Sequence, residues 1–127
     1  MEVWDGILCL PIVGIMDSTR SADMTDALLR AVVATRARST IIDITGIEVM
    51  DTHTADHFIR MAKAVRLLGA ECVLTGINPQ IAQTVIHMGL DMADLASHRS
   101  LRDALQYFIG QRRGTGQLAR VTPARRA

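Results

Sequence analysis

The sequence contains few aromatic residues, and this scarcity excludes one class of binding surface. Trp4, Tyr107, Phe58 and Phe108 are the only aromatic residues among 127, a fraction of 3%. Because single-stranded nucleic acids are commonly bound by stacking on several aromatic side chains, no stacking platform of this kind is predicted. With a hydrophobic fraction of 49%, the chain is nevertheless long enough to form one domain with an aliphatic core.

Cysteines and long apolar segments are also scarce. Cys9 and Cys72 lie in separate apolar runs and form no CxxC pair. They therefore predict buried free thiols in a reducing compartment, and neither a zinc knuckle nor a redox pair. The chain has no run of eighteen apolar residues and no signal-peptide pattern. We therefore expect a soluble, cytoplasmic protein without a membrane partner.

The charge is distributed unevenly along the chain. The net charge of +1 includes five arginines that follow Gly110, namely Arg112, Arg113, Arg120, Arg125 and Arg126. Without them, nine basic residues face thirteen acidic residues, which argues against a nucleic-acid partner for the body of the protein. The composition predicts a domain over residues 1–110, followed by a basic, disordered tail over residues 111–127.

The hydrophobic pattern predicts helices that alternate with strands after an N-terminal hairpin. Asp5-Gly6, placed between two apolar pairs, is a strong hairpin signal. The predicted helices cover about residues 20–36, 52–68, 79–88 and 100–109. The predicted strands after the hairpin cover 40–45 and 72–76, with 92–96 as a candidate for a further strand. We therefore expect a mixed α/β sheet covered by about four helices. Right-handed connections would place the starts of the second and third helices at the same end of that sheet.

The most informative stretch is IDITGIEVMDTHT, residues 42–54, where a short strand leads into the second helix. Asp51 fits as the N-cap residue, with its carboxylate accepting from the N–H of His53 or Thr54. Thr52 would then occupy the first helical position with its hydroxyl directed outwards. Phosphorylation would add about −1.5 to −2 charges there, where the helix N-terminus tolerates an anion. Local sequence favours an ordinary helix start over a phosphorylation switch, and it leaves both open.

Neighbouring polar residues do not predict a metal site or an enzyme. His53 and His57 have i,i+4 spacing, but the stretch lacks the glutamate of an HExxH motif and shows no strong third ligand. No GxSxG, GxGxxG or GxxxxGK[ST] motif occurs, so the chain predicts neither a hydrolase nor a phosphate-binding loop. We accordingly predict no catalytic residue, no metal and no cofactor.

The third predicted helix carries a second hydroxyl of interest. Its apolar side, which is predicted to face the core, consists of Ile81, Ala82, Val85 and Ile86. Thr84 belongs to the opposite, polar side together with Gln80, Gln83 and His87. Pattern alone therefore favours a solvated threonine at this position.

Five stretches, taken in order, resemble the STAS domain, the fold of anti-sigma-factor antagonists and of sulfate-transporter tails. They are LPIVGIMDS (10–18), IDITGI (42–47), VMDT (49–52), AVRLLGA (64–70) and GINPQIAQT (76–84). The resemblance is greatest to stressosome scaffold proteins of RsbR and RsbS type. Thr52 stands where RsbS-type proteins carry serine, which favours the C-terminal domain of RsbR. RsbR proteins place a sensor domain before this domain, so the chain is either a stand-alone paralogue or a piece of a longer protein.

This resemblance implies a non-enzymatic scaffold that is regulated by phosphorylation. It implies that Thr52 is the main phosphoacceptor and that Thr84 is a second one. The implied partners are an RsbT-type switch kinase, a cognate phosphatase and further STAS subunits in a dimer or larger assembly. The predicted partner-binding surface consists of Asp51, His53, Asp56, Asn78 and Gln80. The alternative is a passive STAS module that binds a protein or ligand without phosphoregulation.

Overall fold

Five strands form one sheet in which spatial order follows chain order. The structure is a computed structural model that describes residues 2–4, 6–14, 18–89 and 96–121. Strand β1 (Glu2–Trp4) pairs antiparallel with β2 (Ile7–Val13), and the remaining strands continue in parallel. These parallel strands are β3 (Ser39–Gly46), β4 (Glu71–Thr75) and β5 (Ser97–His98). The predicted mixed sheet with an N-terminal hairpin is confirmed.

Four helices connect the strands and cover the sheet. Helices α1 (Ser18–Thr35), α2 (Thr52–Leu67) and α3 (Pro79–His87) each join two neighbouring parallel strands, and α4 (Leu101–Val121) follows β5. Successive right-handed crossovers between neighbouring strands return to the same side of a sheet. The buried residues of α1, α2 and α3 accordingly belong to one core cluster, and those of α4 belong to another.

Strand side chains alternate between these two clusters because successive residues of a strand point to opposite faces. The larger cluster includes Leu8, Ile42 and Leu74 from the strands, with Leu28, Val32, Phe58 and Ile81 from the helices. The smaller cluster consists of Ile7, Ile41, Val73, Ala104 and Phe108. Three helices therefore build a thick core on one face, and a single helix covers part of the other.

Helix α2 lies at the centre of the larger cluster, and its predicted apolar stripe is confirmed. Ala55, Phe58, Ile59, Ala62 and Val65 are all buried. The helix stops where Gly69 adopts a φ of +91°, a conformation that glycine adopts without a steric penalty. The Gly69 N–H donates to the Arg66 carbonyl, and the next N–H reaches the Val65 carbonyl. The predicted glycine stop is also confirmed.

Both cysteines are buried and free, as predicted. Burial raises the pKa of the Cys72 thiol to about 12. Burial, and then the nearby Asp43 carboxylate, raise the pKa of the Cys9 thiol. Because the thiolate is the reactive form, both side chains behave as small apolar groups of the core.

Helix α3 buries less of its apolar side than predicted. Ile81 is 1% exposed, whereas Ile86 is 65% exposed and Ala82 is also exposed. The neighbouring edge strand β5 has only two residues, so little sheet lies beneath the outer side of α3. The predicted inward orientation is therefore wrong for Ala82 and Ile86. The predicted strand at 92–96 falls mainly on residues outside the described ranges.

Helix α4 is longer than predicted. The sequence predicts an end near Ile109, but the helix continues to Val121. Glutamine, arginine, leucine and alanine dominate residues 111–121 and favour helix, which outweighs glycines that cost about 1 kcal/mol each. Val121 is the last residue of the helix and also the last residue that the structure describes. The separate tail over residues 111–127 stays a prediction.

Candidate functional site at the start of α2

Asp51 fixes the start of α2 and thereby the position of Thr52. It has extended backbone geometry, and its carboxylate accepts a hydrogen bond of 2.8 Å from the Thr54 N–H. This bond is the main reason that the pKa of the Asp51 carboxyl lies below its ordinary value. Thr52 is the first residue of the helix and is exposed. The predicted helix start is confirmed, and the modification of Thr52 stays a prediction.

An open cleft of about 390 Å³ borders this helix start. The residues that line it are Gly14, Ile47, Glu48, Val49, Met50, Asp51 and Thr54. The Val49 side chain is 66% exposed, whereas Ile47 and Met50 are 5% exposed each. The connection before Thr52 is therefore anchored by two apolar side chains and presents a third to solvent.

Two side chains of the next connection and helix hold the backbone of this loop. Asn78 caps α3 through its carbonyl oxygen, which accepts from the Ile81 N–H at 2.8 Å, and its amide group donates to the Glu48 carbonyl at 2.8 Å. The hydroxyl of Thr84, a half-buried residue, lies 3.1 Å from the Met50 carbonyl. The interpretation of Thr84 as a solvated threonine is therefore wrong. The structure thus brings Thr84 to the loop that precedes Thr52.

The remaining predicted surface residues lie on the helices that flank this loop. The His53 and His57 Nε2 atoms are 3.3 Å apart, with the rings edge to face. Asp56 forms an ion pair with Arg60 at 2.8 Å. Gln80 is exposed, one turn before Thr84. Across the described part of the chain, no group of three or more histidine, cysteine, aspartate or glutamate side chains is arranged to hold a metal ion. The predicted absence of a metal is not thereby tested.

Sequence reasoning missed a polar cluster at the ends of β3 and β4. The Asp43 carboxylate accepts hydrogen bonds from the Thr45 hydroxyl at 2.8 Å and from the Thr75 hydroxyl at 2.7 Å. Asp43 and Thr75 are paired in register, so this cluster ties the two strands together just before their connections begin. The available signal was an aspartate that interrupts an otherwise apolar strand, since a half-buried carboxylate needs donors.

The fold and the site define a small α/β domain whose exposed helix start lies at the carboxyl ends of two parallel strands. Residues 1–104 match the STAS domain family. The chain therefore belongs to the STAS domain family, which confirms the resemblance noted in its sequence.

Curated relatives of the chain are named RsbT co-antagonist proteins. The chain is 40% identical over 106 residues to RsbT co-antagonist protein RsbRA of Bacillus subtilis, an alignment that covers 84% of this chain and 39% of that protein. It is 35% identical to RsbRD of the same organism, over 83% of this chain and 38% of that protein. The chain thus spans about two fifths of the length of these relatives.

Two similar solved structures are those of an RsbS variant and of the stressosome. A variant of RsbS from Moorella thermoacetica superposes with a TM-score of 0.76 at 27% identity, covering 87% of this chain and 96% of that one. A chain from a structure of the molecular architecture of the stressosome gives a TM-score of 0.77 at 27% identity, over 89% of this chain and 97% of that one. The predicted STAS fold is confirmed. Within the described residues, no helix combines the length and apolarity needed to cross a bilayer.

Proposed function

We propose that this chain is a scaffold of a stressosome-like signalling complex and that phosphorylation of Thr52 regulates it. In the unmodified state it holds an RsbT-type switch kinase, and phosphorylation releases that kinase. The relatives named RsbT co-antagonists and the similarity to stressosome structures support the scaffold role. The proposal concerns the STAS region, because the chain matches only 39% of RsbRA.

The observation that carries this proposal is the placement of Thr52. It is exposed at the first position of α2, directly after the aspartate that caps this helix and beside an open cleft. A kinase can approach such a hydroxyl without unfolding the helix. Transfer would form a bond between the threonine Oγ1 and the γ-phosphorus of ATP. The bond from that phosphorus to the β,γ-bridging oxygen breaks, ADP leaves and the hydroxyl proton is released. The kinase supplies the catalytic groups.

The charge balance at the helix start indicates that the fold would tolerate the phosphoryl group. The neighbouring Asp51 carboxylate is exposed, so water and salt screen most of the repulsion between it and a phosphoryl group on Thr52. The helix dipole stabilises a negative charge at this end of the helix by about 0.3 to 1 kcal/mol. The screened repulsion and the favourable dipole interaction oppose each other, and their difference is small compared with the stability of a typical domain, about 5 to 15 kcal/mol. The protein therefore stays folded while its surface potential changes.

The same charge would act strongly on a bound partner. Exposed Val49 lies in the connection that leads to Thr52, and the predicted partner surface also carries Asp51 and Asp56. Adding about two negative charges there disfavours an apolar or acidic partner surface, because the phosphoryl group would have to lose water on docking. Release of the kinase follows from this electrostatic change without a rearrangement of the core.

The proposed partners are those needed to phosphorylate the scaffold, to remove the phosphoryl group again and to complete the assembly. An RsbT-type kinase binds and modifies the scaffold, a cognate phosphatase restores the unmodified state, and other STAS subunits complete a dimer or larger assembly. Thr84 is a second phosphoacceptor. The chain has no enzymatic activity of its own in this proposal and acts in the cytoplasm.

Phosphopeptide mapping tests the proposal. The purified chain, Thr52→Ala, Thr52→Ser and Thr35→Ala are each incubated with ATP and the cognate RsbT-type kinase, and kinase retention is measured by pull-down. We expect modification of residue 52 and kinase release for the unaltered chain and for Thr52→Ser, which keeps a hydroxyl. Thr52→Ala should retain the kinase, and Thr52→Glu should partly mimic release. Thr35→Ala is a matched control because Thr35 is an exposed threonine at the opposite end of the sheet.

Two outcomes would contradict the switch. If Thr52→Ala left both modification and release unchanged, another residue would be the phosphoacceptor. If the unaltered chain bound the kinase without becoming phosphorylated, the passive STAS module would be the better description. Size-exclusion chromatography tests the assembly separately, since the scaffold proposal expects dimers or larger species.

A further inference from the structure

The Thr84 hydroxyl connects α3 to the loop of residues 47–51. It lies 3.1 Å from the Met50 carbonyl, which belongs to a residue 34 positions earlier in the chain. It also lies 3.2 Å from the Gln80 carbonyl one helical turn before it. A hydroxyl has one proton to donate, so these two acceptors compete for it. One acceptor belongs to the loop before Thr52, and the other belongs to α3 itself.

We propose that Thr84 is a latch for the loop that presents Thr52. When its hydroxyl donates to Met50, α3 and the start of α2 are coupled; when the donor is lost, the loop opens more often. Met50 precedes Asp51 directly, so any shift of the Met50 carbonyl moves the residue that caps α2. The exposure and orientation of Thr52 therefore depend on a side chain of α3, which acts through the Met50 carbonyl.

Phosphorylation of Thr84 would release this latch in one step. Transfer of the γ-phosphoryl group of ATP replaces the O–H bond of Thr84 with an O–P bond, and ADP and a proton leave. The threonine oxygen then has no proton to donate, and the added negative charge repels the partly negative Met50 oxygen. This part of the inference rests on the proposed function, whereas the effect of the hydroxyl on the loop does not.

Amide hydrogen exchange measures the latch directly. The reporters are the Ile47 N–H, which donates to the Ile44 carbonyl at 2.9 Å, and the Thr54 N–H, which donates to Asp51. Removing one hydrogen bond of typical strength should increase local opening about fivefold. We expect Thr84→Val, which is isosteric but lacks the donor, to accelerate both reporters by this factor. Thr84→Ser, which keeps the donor, should leave them unchanged.

Thr35→Val is the matched control for loss of a helical threonine hydroxyl. Thr35 donates only to the Ala31 carbonyl of its own helix at 2.7 Å, so its loss should not change either reporter. Amides of the central strand, such as Ile42, report general loss of stability. Acceleration confined to Ile47 and Thr54 supports the latch. Unchanged reporters in Thr84→Val, or equal acceleration at Ile42, would overturn it.

The phosphorylation rate of Thr52 provides a second readout. With the latch lost, the initial rate in Thr84→Val should differ from that of the unaltered chain, while Thr35→Val should match it. If no variant is phosphorylated at Thr52, the proposed function fails and the exchange data still decide the latch. If Thr52 is phosphorylated equally in all variants, the latch does not control the site, whatever the loop dynamics.

Discussion

The connections from β3 to α2 and from β4 to α3 lie side by side and use the same helix-capping device. In the first, Asp51 accepts from the N–H three residues later at 2.8 Å; in the second, Asn78 does the same at the same distance. The first connection contains five residues, 47–51, and the second contains three, 76–78. The longer connection leads directly into the exposed Thr52. The shorter connection supports the longer one, because Asn78 donates a hydrogen bond to the Glu48 carbonyl.

The difference between the two capping side chains explains why one connection presents Thr52 and the other supports it. An ionised aspartate side chain can only accept hydrogen bonds, whereas an asparagine amide can accept and donate at once. Asn78 uses both abilities, since it caps α3 and donates to the Glu48 carbonyl of the neighbouring loop. The Asp51 carboxylate accepts a hydrogen bond from the Thr54 N–H of the helix that it caps. The position of the loop before Thr52 therefore depends on the connection of residues 76–78, which itself carries no phosphoacceptor.

The largest expected effect comes from disturbing the close approach of the second connection to the end of β3. Gly76 has a φ of +80°, and a Cβ atom there would overlap the Thr45 hydroxyl and lie 2.7 Å from the Thr45 nitrogen. Gly76→Ala should lower the free energy of unfolding by about 3 to 4 kcal/mol, from left-handed strain and overpacking combined. In Gly69→Ala, φ is +91° but no atom lies within 4 Å, so only the strain of about 1 to 2 kcal/mol applies.

Urea unfolding of these two variants checks the expectation. A loss for Gly76→Ala that clearly exceeds the loss for Gly69→Ala supports tight contact between the second connection and the end of β3. Equal losses would show that the second connection can move away from β3 at little cost. The support that it gives to the loop before Thr52 would then be weak.

A smaller effect is expected when the two caps are given each other's side chain. Asn78→Asp keeps the acceptor for Ile81 but turns a carboxylate towards the Glu48 carbonyl. We expect a loss of about 1 to 2 kcal/mol, because a lost donor and an unfavourable contact outweigh the gain with the helix dipole. Asp51→Asn keeps its cap and should change stability less. Urea midpoints at pH 7 measure both, and similar shifts would mean that the Asn78–Glu48 bond does not stabilise the loop.

The helix starts and their shared end of the sheet could be predicted from the sequence because they depend on local rules. The aspartate before Thr52 and the Asn78-Pro79 pair mark helix starts, and these starts share one end of the sheet because β3 and β4 are parallel. Buried α2 residues could likewise be predicted from their spacing. These signals extend over a few neighbouring residues each.

The contacts of Thr84 and Asn78 with the loop could not be predicted in this way. Both donate to backbone carbonyls, and every residue has a carbonyl, so the acceptor leaves no mark in the sequence. Each contact also spans 30 or more residues. Helical periodicity placed Thr84 on a polar face, but it did not indicate that the neighbouring loop covers part of that face.

The smallest expected effect is the pH dependence of the Asp51 cap. The Thr54 N–H lowers the pKa of the Asp51 carboxyl below its ordinary value of 3.8. Because the folded-state pKa is the lower one, the stabilisation is present above the ordinary pKa and is lost as pH falls through the folded pKa. Asp51→Asn has an acceptor that does not titrate. Its stability relative to the unaltered chain should improve as pH falls below about pH 4.

Thermal unfolding midpoints of the two proteins at several pH values measure this difference. Other carboxylates titrate in both proteins, so their contributions cancel in the comparison. The effect should be small, because the carboxylate is exposed and water screens its interaction with the helix start. A difference that stays flat down to about pH 2.5 would show that the charge of Asp51 adds nothing to its cap. The charge beside Thr52 could then be removed without loosening α2, and Asp51→Asn would isolate its effect on phosphorylation and kinase release.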